Sequence, residues 1–149
     1  MLFRSTHIYG RLAPRPESDR MPHIFVEFST NLKEHINTAD LVRHVHDAAA
    51  EHPSIPLAGL RTRGVERAEY LIANGDHRNM FVAVIARLNA DRGKDSLLEV
   101  RDLLVQACKK SLGGVQQHEP IALSVEVQPI DSEMRINENS IRDYFEELT

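Results

Sequence analysis

The sequence predicts an α+β fold in which two β-α-β repeats form a four-stranded mixed sheet, two helices cover one face of it, and a short C-terminal helix follows. Two observations support this prediction. Strand-like and helix-like segments follow one another in the order strand, helix, strand, and this order occurs twice. The chain has 149 residues, of which 42% are hydrophobic, and this is enough for the core of one domain.

The first repeat begins with an alternating strand and continues with an amphipathic helix. Apolar residues occupy every second position of the strand, at Ile24, Val26 and Phe28. Thr38 is expected to cap a helix that ends near Pro53 and carries apolar residues at one-face spacing, at Leu41, Val45, Ala48 and Ala49. Residues 57–65 are predicted to form the second strand, and residues 68–72 have a short β-like pattern.

The second repeat is expected to start after a turn at Asn74-Gly75-Asp76, because such sequences favour tight turns. Residues 80–88 are nearly all apolar, which is typical of a strand buried on both faces. The next helix should stop at Gly113-Gly114, and its apolar face consists of Leu97, Val100, Leu104, Ala107 and Cys108. The last long strand has apolar residues at Ile121, Leu123, Val125 and Val127.

The chain is expected to end in a short amphipathic helix capped by Asn139 or Ser140, with Ile141 as its first apolar residue. Burial also predicts an oligomer. Two helices can cover only one face of the sheet, whereas residues 80–88 require cover on both faces. Other copies of the same chain are therefore expected to cover the second face, in an obligate homo-oligomer.

Residues 1–21 are predicted to be a disordered leader that is absent from the mature protein, and residues 22–149 the folded domain. The leader has no hydrophobic periodicity, its prolines and charged residues are typical of disorder, and it lacks the apolar region of a secretory signal. Its four arginines suit an organelle transit peptide, but its acidic residues and prolines disfavour the required amphipathic helix. Met21 is therefore interpreted as the true start.

Composition and charge exclude several classes of protein. The formal net charge of −4 argues against a nucleic-acid binder, which usually needs a basic face. No apolar run approaches the roughly 18 residues that a membrane span requires. Cys108 is the only cysteine, so no internal disulfide can form, and we expect a reducing compartment, the cytoplasm.

Four motifs then point to one family. They are Met21-Pro22-His23, the Pro-Leu-Ala-Gly-Leu-Arg-Thr-Arg segment at residues 56–63, the Gly75-Asp76-His77 turn, and Arg92 at the entry to the second helix. Together they resemble the 5-carboxymethyl-2-hydroxymuconate delta-isomerase family of the tautomerase superfamily, and the resemblance covers residues 21–149. It implies a tautomerase-like homotrimer whose β-α-β repeats pack around a central core, with no metal and no organic cofactor.

The resemblance also implies an isomerase that uses an amino-terminal proline, here Pro22, as its acid and base. In the implied reaction, 5-carboxymethyl-2-hydroxymuconate from aromatic compound catabolism becomes its 2-oxo-3-ene isomer, as a proton leaves the 2-hydroxyl and arrives at C5. This role requires that the chain start at Pro22. Within a longer chain the same nitrogen is a tertiary amide without a basic lone pair, and Pro22 would only begin an edge strand.

Arg61 and Arg63 are the candidate substrate-binding residues on the second strand. They lie two residues apart, hence on the same face and roughly 6–7 Å apart. Two adjacent guanidiniums suit a polycarboxylate and would lower the pKa of a nearby amine. The resemblance implies that Arg61 binds and polarises a substrate carboxylate. The alternative for both arginines is an ion pair with Glu27 or Glu126.

Arg92 is a third candidate, because a helix start offers free N–H groups and positive partial charge to an anion. The resemblance implies a substrate-binding arginine here, although the neighbouring Asp91 could neutralise it.

The other reactive residue types do not form a recognisable site. His44 and His46 are two residues apart on a helix and point away from each other, so we expect no metal site. His23 is interpreted as structural, because it faces the opposite side of the strand from Pro22. Cys108 lies in an apolar helix face, where core packing explains it.

Two other functions remain open. A phenylpyruvate-type keto-enol tautomerase would use the same proline on a different substrate. A non-catalytic trimeric binding module would result if the leader stayed attached and blocked the amine.

Overall fold

The computed structural model describes residues 22–148, with side chains as far as Tyr144. The predicted leader, residues 1–21, lies outside this range. Four strands form one sheet in the order β2-β1-β3-β4, and they are β1 (His23–Ser29), β2 (Arg61–Arg67), β3 (Met80–Asn89) and β4 (Ile121–Ile130). β1 is parallel to β2 and β3 to β4, while β1 and β3 are antiparallel. The predicted mixed sheet of two β-α-β repeats is confirmed.

Four α-helices within the described residues accompany the sheet, and they are α1 (Thr38–Ala50), α2 (Lys94–Leu112), the single turn α3 (Val115–His118) and α4 (Ile141–Leu148). α1 and α2 pack against each other and against one face of the sheet. Each of these two helices belongs to a crossover between parallel strands, which is the connection that parallel pairing requires. The α+β prediction with two helices on one face is therefore confirmed.

The start of α1 differs by one residue from the prediction. Asn37 has an extended backbone, and its Oδ1 accepts a hydrogen bond from the Asp40 N–H at 3.0 Å. Asn37 is therefore the N-cap, and Thr38 is the first helical residue. The two residue types cap helices by the same mechanism, so the sequence alone did not separate them.

The start of the second strand was also predicted wrongly. Residues Leu57–Gly59 form a 3₁₀ turn in which the Leu60 N–H donates to the Leu57 carbonyl, and the strand begins only at Arg61. Residues 68–72 are not a strand. The turn that follows is as predicted: the Gly75 N–H donates to the Ile72 carbonyl, and Gly75 has a φ of 83°.

The core lies between the helices and the sheet. On β3 the helix-facing residues Val82, Val84 and Ala86 are buried, whereas Phe81 and Ile85 on the other face are only partly buried. One face of this strand is therefore buried as predicted, and burial of the other face, which is expected to involve other copies of the chain, stays a prediction. No described element of the chain covers that second face, which we call the open face.

The end of α2 and the start of α4 lie where the sequence predicts them. The apolar face of α2 is buried as expected, and Gly113, with a φ of 55°, follows its last residue. Of the two candidate caps for α4, Asn139 provides the oxygen: its Oδ1 accepts from the Ile141 N–H at 2.8 Å. Its Nδ2 also donates to the Ala58 carbonyl, which ties the start of α4 to the turn before β2.

The topology brings four strand ends together at one edge of the sheet. β1 and β2 begin there, while β3 and β4 end there, and His23 pairs in register with Arg61 on one side and Arg87 on the other. The segment after β4 starts at the same edge. Residues far apart in the sequence therefore meet near Pro22. No helix in the described range has the length and apolar character needed to span a membrane.

Candidate active site

Pro22 lies at this shared edge, immediately before β1. It is buried, and its carbonyl oxygen accepts a hydrogen bond from the Arg61 N–H at 3.2 Å. Parallel pairing of β1 with β2 is what places these two residues side by side. The two candidate catalytic residues are therefore neighbours in the fold, although 39 positions separate them in the sequence.

Arg61 and Arg63 project from the open face of β2 and both meet His23. Arg61 Nη2 lies 2.9 Å from His23 Nε2, and both terminal nitrogens of Arg63 lie 3.2 Å from His23 Nδ1. The Arg63 guanidinium also lies over the Phe25 ring, 4.6 Å from its centroid. The two-residue spacing predicts that Arg61 and Arg63 lie on the same face of the strand, and both contacts with His23 occur on that face.

The carboxylates that could have neutralised these arginines bind elsewhere. Glu27 pairs with Arg67 at 2.7 Å, and Glu126 accepts a hydrogen bond from Gln128 at 2.9 Å. Within residues 22–148, neither Arg61 nor Arg63 forms a salt bridge, and Arg61 Nε is buried without a hydrogen-bond partner. Both guanidiniums are thus available to an anionic ligand.

His23 is the centre of a cationic cluster. Burial, followed by the charges of Arg61, Arg63, Arg135 and Arg87, lowers the pKa of His23 from 6.5 to about 4. The imidazole is therefore neutral at neutral pH and has a single acceptor nitrogen, so it can satisfy only one of its two arginine neighbours. An incoming carboxylate would supply the acceptors that the histidine lacks.

Two arginines of this cluster were missed by the sequence reasoning. Arg87 comes from β3, and Arg135 from the segment after β4, where its Nη1 donates to Asn89 Oδ1 at 3.2 Å. A cavity of about 440 Å³ opens between them, and His23 lines it too. For Arg87 the signal was available only through strand register, because it pairs with His23, whereas Arg135 lies outside the strands and register gives no signal for it.

Arg92 occupies a different position from the other candidates. It is buried at the end of the 3₁₀ turn Ala90–Arg92, and its guanidinium donates to the Ser54 carbonyl in the connection between α1 and β2. Arg92 is not among the described residues that line the cavity. Its described contact ties the start of α2 to the segment that leads into Arg61.

His44 and His46 have local hydrogen-bond partners, and Cys108 is buried. His44 Nδ1 contacts Ser111 Oγ, and His46 Nδ1 lies 2.8 Å from Thr62 Oγ1. Burial raises the pKa of the Cys108 thiol to about 11, which makes it a poor nucleophile. In the part of the chain that the structure describes, no three His, Cys, Asp or Glu residues are grouped so as to hold a metal ion.

The His23 environment predicts an acid-dependent loss of stability. The folded-state pKa of about 4 lies below the ordinary 6.5, so the unfolded chain binds more protons between these values. The contribution of His23 to the free energy of unfolding is therefore complete above pH 6.5 and is lost as the pH falls toward 4. The free energy of unfolding, measured with urea at several pH values across this range, should change less with pH for His23→Gln than for the parent chain. An equal pH dependence of the unfolding free energy in the two chains would contradict the lowered pKa of His23.

Comparison with known proteins gives a consistent set of relatives. The family model for 5-carboxymethyl-2-hydroxymuconate isomerase matches residues 22–145. The 5-carboxymethyl-2-hydroxymuconate Delta-isomerase of Escherichia coli is 26% identical over 125 residues, which cover 84% of this chain and 99% of that protein. The family-model match begins at Pro22, the residue that the sequence motifs single out.

Solved structures share the fold. A 5-carboxymethyl-2-hydroxymuconate isomerase from Deinococcus radiodurans R1 superposes with a TM-score of 0.78 at 22% identity, covering 85% of this chain and 96% of that one. A fused 4-OT described as a symmetric trimer has a TM-score of 0.53 at 21% identity, covering 72% of this chain and 85% of that one. The chain therefore shares its fold of β-α-β repeats with both of these solved structures.

Proposed function

Since the chain belongs to the 5-carboxymethyl-2-hydroxymuconate isomerase family, we propose that it shifts a proton within an unsaturated 2-hydroxy polycarboxylate. The family makes it an isomerase, and 5-carboxymethyl-2-hydroxymuconate is the substrate that fits best. The observation that carries this proposal is the cationic cluster beside Pro22, in which Arg61 and Arg63 form no salt bridge with a described carboxylate. The substrate has three carboxylates, and such a cluster is suited to bind them.

Pro22 acts as both base and acid in the proposed mechanism. Its neutral amine takes the proton from the 2-hydroxyl, the C2–O bond becomes a carbonyl, and the two double bonds of the diene become one between C3 and C4. The protonated amine then gives the proton to C5, so that atoms and charge balance. One group can serve both steps because it ends each cycle in the state in which it began.

The setting of Pro22 favours the neutral amine that this cycle needs. A free α-amino group titrates near about 7.7–8.0 in model peptides, and the secondary amine of proline is more basic. Pro22 is buried next to Arg61, and both burial and nearby positive charge disfavour the ammonium form. The pKa of the amine is therefore expected to move toward neutral pH, where a proton shuttle works best.

The arginines have complementary roles. Arg61, next to Pro22, binds the carboxylate adjacent to the 2-hydroxyl and polarises the carbonyl that forms there. Arg63, which is the next residue on the same face of β2, assists Arg61 in binding the substrate. Arg92 supports the site from the start of α2: its bond to Ser54 holds the segment that leads into Arg61.

The mature enzyme is proposed to begin at Pro22 and to lack residues 1–21. Any residue joined to the Pro22 nitrogen makes it a tertiary amide that can neither take nor give a proton. The match of the family model from residue 22 supports this boundary.

An assay of two enols tests the function. A chain that begins at Pro22 should convert 5-carboxymethyl-2-hydroxymuconate to the 2-oxo-3-ene isomer, followed by ultraviolet absorbance, with a higher kcat/KM than it shows for the enol of phenylpyruvate. The reason is charge, because phenylpyruvate has one carboxylate for several guanidiniums. A preference for phenylpyruvate would instead assign the chain to the second class of tautomerase.

The open face of the sheet supports a homotrimer. Phe81, Ala83 and Ile85 are partly buried apolar residues on this face of the central strand β3, and the fused 4-OT with the same fold is described as a trimer. Packing of three open faces around a common axis would bury these residues in the way their sequence pattern requires.

Ile85→Glu should break this assembly. The substitution places a charge in a dry interface, where an unpaired ion costs several kcal/mol. Sedimentation velocity should show a trimer for the parent chain and smaller species for Ile85→Glu. Lys110→Glu, on the exposed side of α2, is the matched control and should remain trimeric. A parent chain that sediments as a monomer would contradict the proposed assembly.

A further inference from the structure

The cavity at the shared edge has a cationic wall that the mechanism above does not use. Arg87 and Arg135 line it together with His23. The rest of the described lining is mostly uncharged, with Asp131 as its single acidic residue. The cavity therefore carries a net positive charge and suits an anionic group.

The two arginines come from different parts of the fold but are held close together. Arg87 is opposite His23 on the antiparallel strand pair, and Arg135 is anchored to the buried Asn89 two residues further along β3. Burial, and then the charges of Arg61 and Arg87, lower the pKa of Arg135. The guanidiniums thus repel one another, and an anion bound between them would relieve that repulsion.

The position of this cavity relative to Pro22 gives it a definite role. β1, which follows Pro22 directly, lies between β2 and β3, so Arg61 and Arg87 stand on opposite sides of this strand start. Their backbones are two strand spacings apart, roughly 9–10 Å. An extended six-carbon acid with a carboxylate at each end is long enough to contact a guanidinium on either side of Pro22.

We propose that Arg87 and Arg135 bind the carboxylate groups at the C5 end of the substrate and thereby set the preference for tricarboxylates over monocarboxylates. This inference rests on the proposed function, in which Arg61 holds the end that carries the 2-hydroxyl. It makes the two arginines specificity-determining residues, while the proton transfer itself stays with Pro22. The carboxymethyl arm fits the cavity by its charge and its position next to C5.

The test compares single substitutions Arg87→Gln and Arg135→Gln in a chain that begins at Pro22. Each should lower kcat/KM for 5-carboxymethyl-2-hydroxymuconate by about 10- to 100-fold, as expected for the loss of a hydrogen-bonded charge. Each should change kcat/KM for the enol of phenylpyruvate by less than about 3-fold, since that enol has no second carboxylate. Arg78→Gln is the matched control, because Arg78 is exposed and paired with Asp76 in the turn before β3.

A binding measurement separates this inference from the proposed function. Tricarballylate, a saturated tricarboxylate, is titrated by calorimetry into the parent chain and both variants, and circular dichroism verifies their folding. Weaker binding to the variants supports the inference even if the parent chain has no isomerase activity, in which case the proposed function fails alone. The inference fails while the proposed function stands if the parent chain is active, the variants bind tricarballylate as tightly as the parent, and they lose activity equally on both enols. Because Arg87 is exposed, Arg87→Gln should fold even if Arg135→Gln does not.

Discussion

A chain that begins at Pro22 is expected to isomerise 5-carboxymethyl-2-hydroxymuconate about 10²- to 10⁴-fold faster than a chain that retains residues 1–21, the usual contribution of a positioned acid-base group. The physical reason is a single atom. With residues attached, the Pro22 nitrogen is an amide and has neither a basic lone pair nor a proton to give. Both chains contain all the residues of the described fold, so the difference isolates the amine.

Two controls define what the comparison measures. Thermal unfolding of the two chains is measured beside the rates, so that a difference in folded fraction is not taken for a difference in catalysis. A chain that begins with alanine in place of Pro22 keeps a free amine but loses the ring, and it should be intermediate in rate. Equal rates for the two starts would mean that Pro22 is not the base.

Arg61→Gln is expected to lower kcat/KM for the same substrate by about 10²- to 10³-fold, the effect of losing a charged donor aimed at a developing negative charge. Both kcat and KM should change, because Arg61 is proposed to bind the carboxylate and also to polarise the new carbonyl. The pKa seen in the pH-rate profile of a chain that starts at Pro22 should also rise, since a nearby positive charge is lost.

Arg67→Gln is the matched control for this experiment. Arg67 lies on the same face of the same strand, but it is paired with Glu27 and is far along β2 from Pro22. Its loss should change kcat/KM by less than about 3-fold, as is usual for an exposed ion pair. An unchanged kinetic profile for Arg61→Gln would remove Arg61 from the site.

Much of the fold could be predicted because burial leaves a periodic pattern. The apolar spacing in α2 and in β1 is explained by the core that both elements line. Boundaries were less accessible. The 3₁₀ turn Leu57–Gly59 is apolar and reads as part of a strand, and only its local hydrogen bonds distinguish it.

Without the family resemblance, the residues alone could predict the candidate site only where neighbours in the sequence are also neighbours in space. Arg61 and Arg63 share a face of one strand, so their spacing was informative. Arg87 and Arg135 reach the same place through cross-strand register and through a segment without regular structure. His23 is interpreted as structural because it faces the opposite side of the strand from Pro22, and its own strand does not reveal the two guanidiniums that it contacts on β2.

The central claim is that the working enzyme has a free amine on Pro22, and the intact mass of the protein isolated from its native host tests it most directly. We expect the mass of a chain whose first residue is Pro22. A mass that includes any residue before Pro22, in protein that is fully active, would contradict it.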